Sequence, residues 1–299
     1  LEAIASSCGV TSETELSTFG AKMRFHFGWS RYFETIGNWE AAMKHVHAIV
    51  DLYDVNPQHI QSEQLGYINM LMMLCTYSLR SGSAKQTEMY LDRFRRLKLT
   101  KQCIPYSELL IFRFKILRAL TEKNWKELES LQSQHEGLVA RYRSEVNSFG
   151  KDLRIDLHLY FIRGYLLKRE YESALREIAA LRKLSTLSKH PYHENNTSIL
   201  LLIVHYELGN FSYLPYVLRS TYRSLLRRER LFEFESHILQ FLRKSLKMKK
   251  RTEILNALRE LHANIVALDS EPIEREFPWK DFYLEWIEGK IKSRSQPIS

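Results

Sequence analysis

Apolar residues recur every three or four positions along most of the chain. The clearest runs are Ala42, Val46, Ile49, Val50 and Tyr53, then Ala174, Ile178 and Leu181, and finally Ile254, Leu258, Leu261, Ile265 and Leu268. This spacing places the apolar side chains on one face of a helix. Only 11 Gly and 7 Pro occur in 299 residues, whereas turn-dense β folds need more of both. The pattern therefore predicts an all-α chain.

One stretch fits a second interpretation. Leu153, Ile155, Leu157 and Leu159 alternate with polar residues, as the residues of a half-buried strand do. The apolar pattern then continues at helical spacing up to the next turn, through Phe161, Ile162, Tyr165 and Leu166. We therefore predict a helix here, with a strand as the alternative.

A short turn pattern recurs along the chain, in which a turn residue and a polar residue precede an aromatic, with a small or apolar residue three positions later. Its aromatics are Trp39, Trp125, Tyr171 and Phe211, spaced by 86, 46 and 40 residues. A degenerate copy ending at Ala84 divides the first interval into 45 and 41. Arg251 lies a further 40 residues beyond Phe211, at another helix boundary. Periods of this length indicate stacked pairs of helices.

These turns resemble the helix-turn-helix of tetratricopeptide repeats, in which an aromatic follows a Gly-Asn or Gly-Asp turn. The repeats here exceed that family's usual length of about 34 residues, so their helices must be longer. The resemblance implies a right-handed α-α superhelix, a solenoid of about six helix-turn-helix repeats in a single array. The predicted repeats are 13–56, 58–100, 105–145, 151–188, 195–228 and 229–268.

The turns also carry expectations about individual residues. We expect Trp39, Trp125, Tyr171 and Phe211 to be buried between paired helices, where Ala42 and Ala174 leave them room. Prolines 57, 105 and 191 fall between repeats, where a helix must stop.

The C-terminal part predicts one more amphipathic helix, over 278–294. Its apolar residues are spaced for a single helix face, at Trp279, Phe282, Tyr283, Trp286 and Ile287, and Pro278 is suited to the first turn. We predict that this helix caps the array by covering the apolar face of 254–268, because a repeat array exposes its last edge. The alternative is docking on another chain, so monomer and dimer both stay open.

Sequence motifs of catalysis are absent. The chain has no phosphate-binding glycine loop, no Gly-x-Ser-x-Gly and no His-Glu-x-x-His, and the pair His190 and His193 has no evident third metal ligand. We therefore predict a non-enzymatic protein with no catalytic residues, no metal site and no cofactor. Three cysteines without a Cys-x-x-Cys pair favour a cytoplasmic location. The longest apolar run, 199–204, is far shorter than the roughly 20 residues of a membrane helix.

Positive charge is concentrated in one segment. The formal net charge is +9, and residues 219–251 hold eleven basic and three acidic residues, or +8. Such a segment suits nucleic acid or another polyanion, and a solvated helix face is the alternative. The candidate residues are Arg223, Arg227, Arg228, Arg243, Lys244, Lys247, Lys250 and Arg251. Its aromatics stand at apolar helical positions and are expected in the core, namely Tyr222, Phe232, Phe234 and Phe241.

The resemblance implies that the first helix of each pair lines a concave face that binds a protein or peptide. Residues at the family's distances before each turn are Arg24, Arg31, Asn69, Arg113, Arg163 and Asn196. Arginine there offers bidentate hydrogen bonds to a carboxylate, although pairing with neighbouring acidic residues is the alternative. The function predicted from the sequence is a protein- or peptide-binding scaffold. Nucleic-acid binding and a small-molecule site between helices are the other hypotheses.

Overall fold

In the computed structural model, the described residues are 12–35, 38–142, 151–184, 191–227, 233–268 and 280–295. Within these ranges the chain forms fourteen α-helices and one 3-10 turn, Glu13–Glu15, and no strand. The prediction of an all-α fold is confirmed. The chain divides into two compact units, the first within 12–122 and 133–142 and the second within 123–132 and 151–295.

The helices up to the middle of the chain have the following bounds: α1 Phe19–Thr35, α2 Trp39–Val55, α3 Pro57–Ser62, α4 Gln64–Arg80, α5 Ala84–Arg95, α6 Ile104–Thr121 and α7 Trp125–Arg141. Helix α7 contributes residues to both units. In the first unit α1 pairs with α2 and α4 pairs with α5, while α4 also packs against α2 and α6. Helices α1, α4 and α6 are therefore the first helices of successive pairs.

The remaining helices belong to the second unit: α8 Lys151–Leu167, α9 Tyr171–Arg182, α10 Pro191–Glu207, α11 Leu214–Arg227, α12 Glu233–Ser245, α13 Arg251–Ala267 and α14 Lys280–Ser295. Helix α10 lies at the centre, in contact with α8, α9, α11 and α12. Residues 199–206 of α10 are all buried, as expected for a helix that is apolar on every side. Helix α14 packs on α13 and also contacts α8.

The turns within the helix pairs share one backbone geometry. The residue two positions before the turn aromatic, or before its counterpart Ala84, has a positive φ at Gly82, Lys123, Arg169 and Gly209. The next residue donates its N–H to the carbonyl five positions earlier at Asn38, Ser83, Glu170 and Asn210, over 2.8–3.0 Å. This bond closes a Schellman motif and satisfies a carbonyl at the end of the first helix. The recurring sequence pattern thus corresponds to a recurring structural turn.

The predicted burial of the turn aromatics is only partly correct. Ala42 and Ala174 are fully buried, but Trp39, Trp125 and Tyr171 are half-buried, and Phe211 is 53% exposed. At the other turns the second helix begins at the aromatic or at Ala84, whereas α11 begins three residues after Phe211. Leu214, fully buried at the start of α11, takes the place expected for Phe211.

Two further expectations are settled by the helix boundaries. The alternating stretch from Leu153 to Leu159 lies within α8, so the strand alternative is wrong. All four of its apolar residues are buried, because α8 is packed by α9, α10 and α14 on different sides. Pro57, Pro105 and Pro191 occupy the first turns of α3, α6 and α10 instead of the gaps between helices. Proline is accepted there because first-turn N–H groups have no helical partner.

Candidate functional site

Helix α14 is bound to the other helices of the second unit through one face. Phe282, Tyr283, Trp286 and Ile287 are between 0% and 4% exposed and belong to the same apolar core as α10, α12 and α13. The Tyr283 ring centroid lies 5.6 Å from that of Phe234 on α12, and the Trp286 ring lies 6.4 Å from that of Phe241. Burying a side chain of this size stabilises by about 1.5–3 kcal/mol. Helix α14 is therefore firmly held.

Two buried polar residues of α10 fix the position of α14. The Tyr283 hydroxyl donates to Oδ1 of Asn196 over 2.6 Å, and both side chains are fully buried. Near the end of α10, Glu207 accepts bonds from Trp286 Nε1 at 2.8 Å and from Lys290 Nζ at 2.6 Å. Its side chain is only 3% exposed. A buried carboxylate is tolerated only when it is paired and hydrogen-bonded, so Glu207 requires α14.

A second ionic contact involves Glu285 of α14. Its carboxylate lies 2.7 Å from Lys123 Nζ and 3.6 Å from a terminal nitrogen of Arg163. The Arg163 guanidinium also stands over the Phe282 ring, 5.8 Å from its centroid. Burial lowers the pKa of Arg163, and the nearby Glu285 partly counteracts that effect. The arginine is thus a buried cation held by an anion and an aromatic face, as cation–π contacts allow.

In the first unit, the corresponding side of the central first helix is more exposed. On α10, the residues 15, 11, 8 and 4 positions before Phe211 are Asn196, Leu200, Ile203 and Glu207. On α4, the residues at the same distances before Ala84 are Asn69, Met73, Thr76 and Arg80. We call these two sets the α10 stripe and the α4 stripe. The first three residues of the α10 stripe are fully buried. In the α4 stripe the first three are half-buried and Arg80 is exposed.

Aromatic contacts position the residues of the α4 stripe. The Arg80 guanidinium lies 4.6 Å from the Trp39 ring centroid, and the Trp39 ring packs against that of Tyr77. Because the cation stacks on a ring face, its N–H groups can still point outward to bind a carboxylate. Oδ1 of Asn69 accepts a bond from the Tyr106 hydroxyl over 2.9 Å.

Helix α1, whose C-terminal part contacts α4, also carries exposed basic residues. Arg24, Phe27 and Arg31 are exposed at helical spacing on α1. Arg31 pairs with Glu34, and Glu34 accepts a bond from the Tyr77 hydroxyl over 2.9 Å. Burial and the Glu34 charge raise the pKa of Tyr77, so its hydroxyl stays protonated as a donor. This bond joins the C-terminal part of α1 to α4.

The six residues predicted to line a partner-binding face differ in their surroundings. Arg163 and Asn196 contact α14 of the same chain. Arg31 and Asn69 contact side chains of the first unit, Arg24 is exposed, and Arg113 is half-buried on α6. They belong to two separate units. Partner binding by these residues stays a prediction.

The basic segment is mostly exposed, and some of its residues have structural partners. Lys244 pairs with Glu260 at 3.4 Å, and Nε of Arg251 donates to the Arg294 carbonyl at the end of α14 over 2.8 Å. The others that can be described are exposed, namely Arg223, Arg243, Lys247 and Lys250. The side chain of Arg227 and the whole of Arg228 lie outside the described residues.

The aromatics of the basic segment only partly follow the prediction. Phe234 and Phe241 are buried as expected, but Tyr222 is 47% exposed, and Phe232 lies outside the described residues. Three more exposed aromatics precede it, with Phe211 at 53%, Tyr213 at 49% and Tyr216 at 72%. The Tyr206 ring connects this group to α12, because its centroid lies 6.2 Å from that of Phe211 and 5.8 Å from that of Phe241.

Three observations bear on the other expectations. Cys75 and Cys103 are buried free thiols, and burial raises the pKa of Cys75 to about 12, so this thiol stays protonated and unreactive. No group of three His, Cys, Asp or Glu side chains converges as a metal site within the described ranges. No helix in the part of the chain that the structure describes is long and apolar enough to cross a membrane.

Comparison of the chain with protein-family models, with curated proteins and with solved structures gave no match.

Proposed function

We propose that this chain is a non-enzymatic scaffold of tetratricopeptide-like type, a right-handed solenoid whose first helices bind partner helices or peptides. The observation that carries the proposal is the seating of α14 in the second unit. There the first helices already hold a helix, through an apolar core and the buried residues Asn196 and Glu207.

The first unit offers the site for a partner. Its α4 stripe stands at the same distances from the turn as the α10 stripe. It combines apolar Met73 with the polar ends Asn69 and Arg80, as the α10 stripe combines apolar and polar residues. A peptide-binding face of this kind needs a few placed polar groups to fix orientation and apolar surface for affinity.

Site-specific photocrosslinking tests this proposal. A photoreactive phenylalanine analogue replaces Met73 on α4 or, as the matched control, Met89, which is 54% exposed on α5. After irradiation in the native lysate, we expect a defined partner protein joined at position 73 and absent at position 89. Equal labelling at both positions, or no discrete product at position 73, contradicts the proposal.

A second candidate function is binding of single-stranded nucleic acid at the basic end of the second unit. The observation that favours it is the exposure of Tyr213 and Tyr216 after α10 and of Lys247 and Lys250 after α12, two helices that are joined by the contact between Tyr206 and Phe241. Exposed aromatics stack on bases while lysines neutralise phosphates. Both kinds of group are needed for this mode of binding.

Salt-dependent fluorescence anisotropy with a labelled single-stranded oligonucleotide tests this second candidate. Changing Lys247 and Lys250 together to Glu should reduce the slope of log affinity against log salt by about 0.7 for each phosphate that the protein no longer neutralises. The matched control changes the exposed Lys85 and Lys115 of the first unit to Glu. If the two double variants weaken binding equally, only the overall charge matters and this site is excluded.

A further inference from the structure

Helix α14 shows what kind of segment a first-helix stripe accepts. Its aromatic side chains pack in the apolar core, its Tyr283 hydroxyl donates a hydrogen bond to Asn196, and its Lys290 pairs with Glu207. The contact residues Tyr283, Trp286 and Lys290 are spaced so that they share one helix face. The α10 stripe is therefore covered by an aromatic helix with a basic residue at one end.

The α4 stripe has the same layout with the opposite charge at that end. Asn69 stands where α10 has Asn196, and a carboxylamide can accept a second hydrogen bond besides the one from Tyr106. Arg80 stands where α10 has Glu207. In the described part of the chain no carboxylate pairs with Arg80, whose guanidinium is held by stacking on Trp39.

Helix α1, which contacts α4 through the bond between Tyr77 and Glu34, carries further arginines, of which Arg31 pairs with Glu34. Arg24 and Arg31 are exposed on the neighbouring α1, together with Phe27, which is 42% exposed. Arginine and aromatic side chains contribute most to binding energy at protein interfaces. Like charges placed opposite each other at an interface are unfavourable, so a lysine-bearing segment such as α14 itself is disfavoured here.

We propose that the α4 stripe binds a partner helix which carries an aromatic face and a glutamate or aspartate at the position that Lys290 holds in α14. This inference rests on the proposed scaffold function and names the partner class, an acidic amphipathic helix. The partner's carboxylate binds Arg80 bidentately, its aromatics cover Met73, and a hydroxyl or amide donor bonds to Asn69. Bidentate arginine–carboxylate pairs add both strength and orientation.

Two peptides that differ at one residue test the inference on the full chain. Each has the sequence of residues 280–295, labelled with fluorescein and closed by a lactam between Glu288 and Lys292, which are both exposed in α14 and four residues apart. One keeps Lys290 and the other carries Lys290→Glu. The lactam is included because a 16-residue helix is marginal alone in water.

We expect the glutamate peptide to bind the wild-type chain up to about fivefold more tightly than the lysine peptide, as one exposed ion pair allows. Arg80→Glu should reverse this order. The control Lys85→Glu makes the same charge change at an exposed position on α5 and should leave the order as in the wild type.

Four results overturn the inference. The first three are equal binding of the two peptides, an order that Arg80→Glu does not change, and absence of measurable binding of the glutamate peptide. Tighter binding of the lysine peptide that disappears in Glu207→Gln also overturns it, and shows instead that the peptide displaces α14 from the α10 stripe. Each of these leaves the scaffold proposal to be decided by crosslinking at Met73, so the two failures are distinguishable.

Discussion

The two central first helices, α4 and α10, differ in what covers them. Both are flanked by a paired second helix and by the helix that follows that pair, and both present a stripe with an Asn at one end. The α10 stripe is closed by α14 and ends in the buried anion Glu207. The α4 stripe is partly open and ends in the exposed cation Arg80. The difference indicates a structural role for the α10 stripe and favours a binding role for the α4 stripe.

The comparison depends most on how strongly α14 is held. We expect Trp286→Ala to lower the free energy of unfolding of the second unit by about 3–5 kcal/mol, because the variant lacks both a large buried aromatic and its bond to Glu207. Chemical denaturation followed by circular dichroism measures this. Val266→Ala, at a 41% exposed position on α13, is the control. A decrease below about 1 kcal/mol for Trp286→Ala would mean that α14 does not close the unit.

A matched pair of truncations compares the stripes directly. Leu200 of α10 and Met73 of α4 stand at the same position before the turn, but Leu200 is fully buried and Met73 only half-buried. We expect Leu200→Ala to cost about 2–5 kcal/mol and Met73→Ala roughly half as much, since less area leaves water at Met73. Equal decreases in stability, measured by denaturant unfolding, would show that the α4 stripe is as closed as the α10 stripe.

An alkaline titration tests the burial of one tyrosine in the first unit. Burial, with a smaller contribution from Glu63, raises the pKa of Tyr53 to about 12. The folded state thus holds a proton that the unfolded state releases from about pH 10, so stability is complete below pH 10 and falls as pH rises toward 12. We expect a decrease of up to about 2 kcal/mol over that range. Other buried tyrosines, such as Tyr77 and Tyr171, also have raised pKa values, so Tyr53→Phe should reduce the slope by its own contribution and leave the rest. An unchanged slope would show that Tyr53 contributes nothing to it.

The smallest effect concerns two turns with different residues at the positive-φ position. One is Gly82 in the first unit and the other is Arg169 in the second. Residues other than glycine have a steric cost there. Arg169→Gly should therefore stabilise the chain by about 0.5–1 kcal/mol and raise its melting temperature accordingly. The reverse change, Gly82→Arg, should lower it by a similar amount. A destabilised Arg169→Gly variant would show that the arginine side chain makes a contact that outweighs the strain.

The turns and the helical class were predictable because they depend on local chemistry. Gly82 and Gly209 stand where the turn requires a positive φ, and an aromatic follows Gly209 by two residues. This backbone geometry is determined by a short segment of sequence alone. The apolar run from Ile199 to Val204 also predicts a helix buried on every side, and such a helix needs a cover. The run is therefore a signal in the sequence for where α14 packs.

The contacts that hold α14 were not predictable from the sequence because they join distant residues. Glu207 resembles any solvated acid at a helix end until Lys290, 83 residues later, is placed beside it. Phe211 matches the turn pattern in sequence, yet α11 starts at Leu214, and a helix start three residues later moves the aromatic from core to surface. Likewise, Tyr222 follows helical spacing but stands on the exposed side of α11.

The 83-residue separation between Glu207 and Lys290 has a consequence for biosynthesis. Ribosomes add about 5–20 residues per second, so α10 emerges roughly 4–16 seconds before the helix that covers it. During that interval its apolar side is exposed in the nascent chain, and the Glu207 carboxylate is still hydrated. The second unit therefore completes its core only as α14 leaves the ribosome, and until then we expect chaperones to protect the α10 stripe from aggregation.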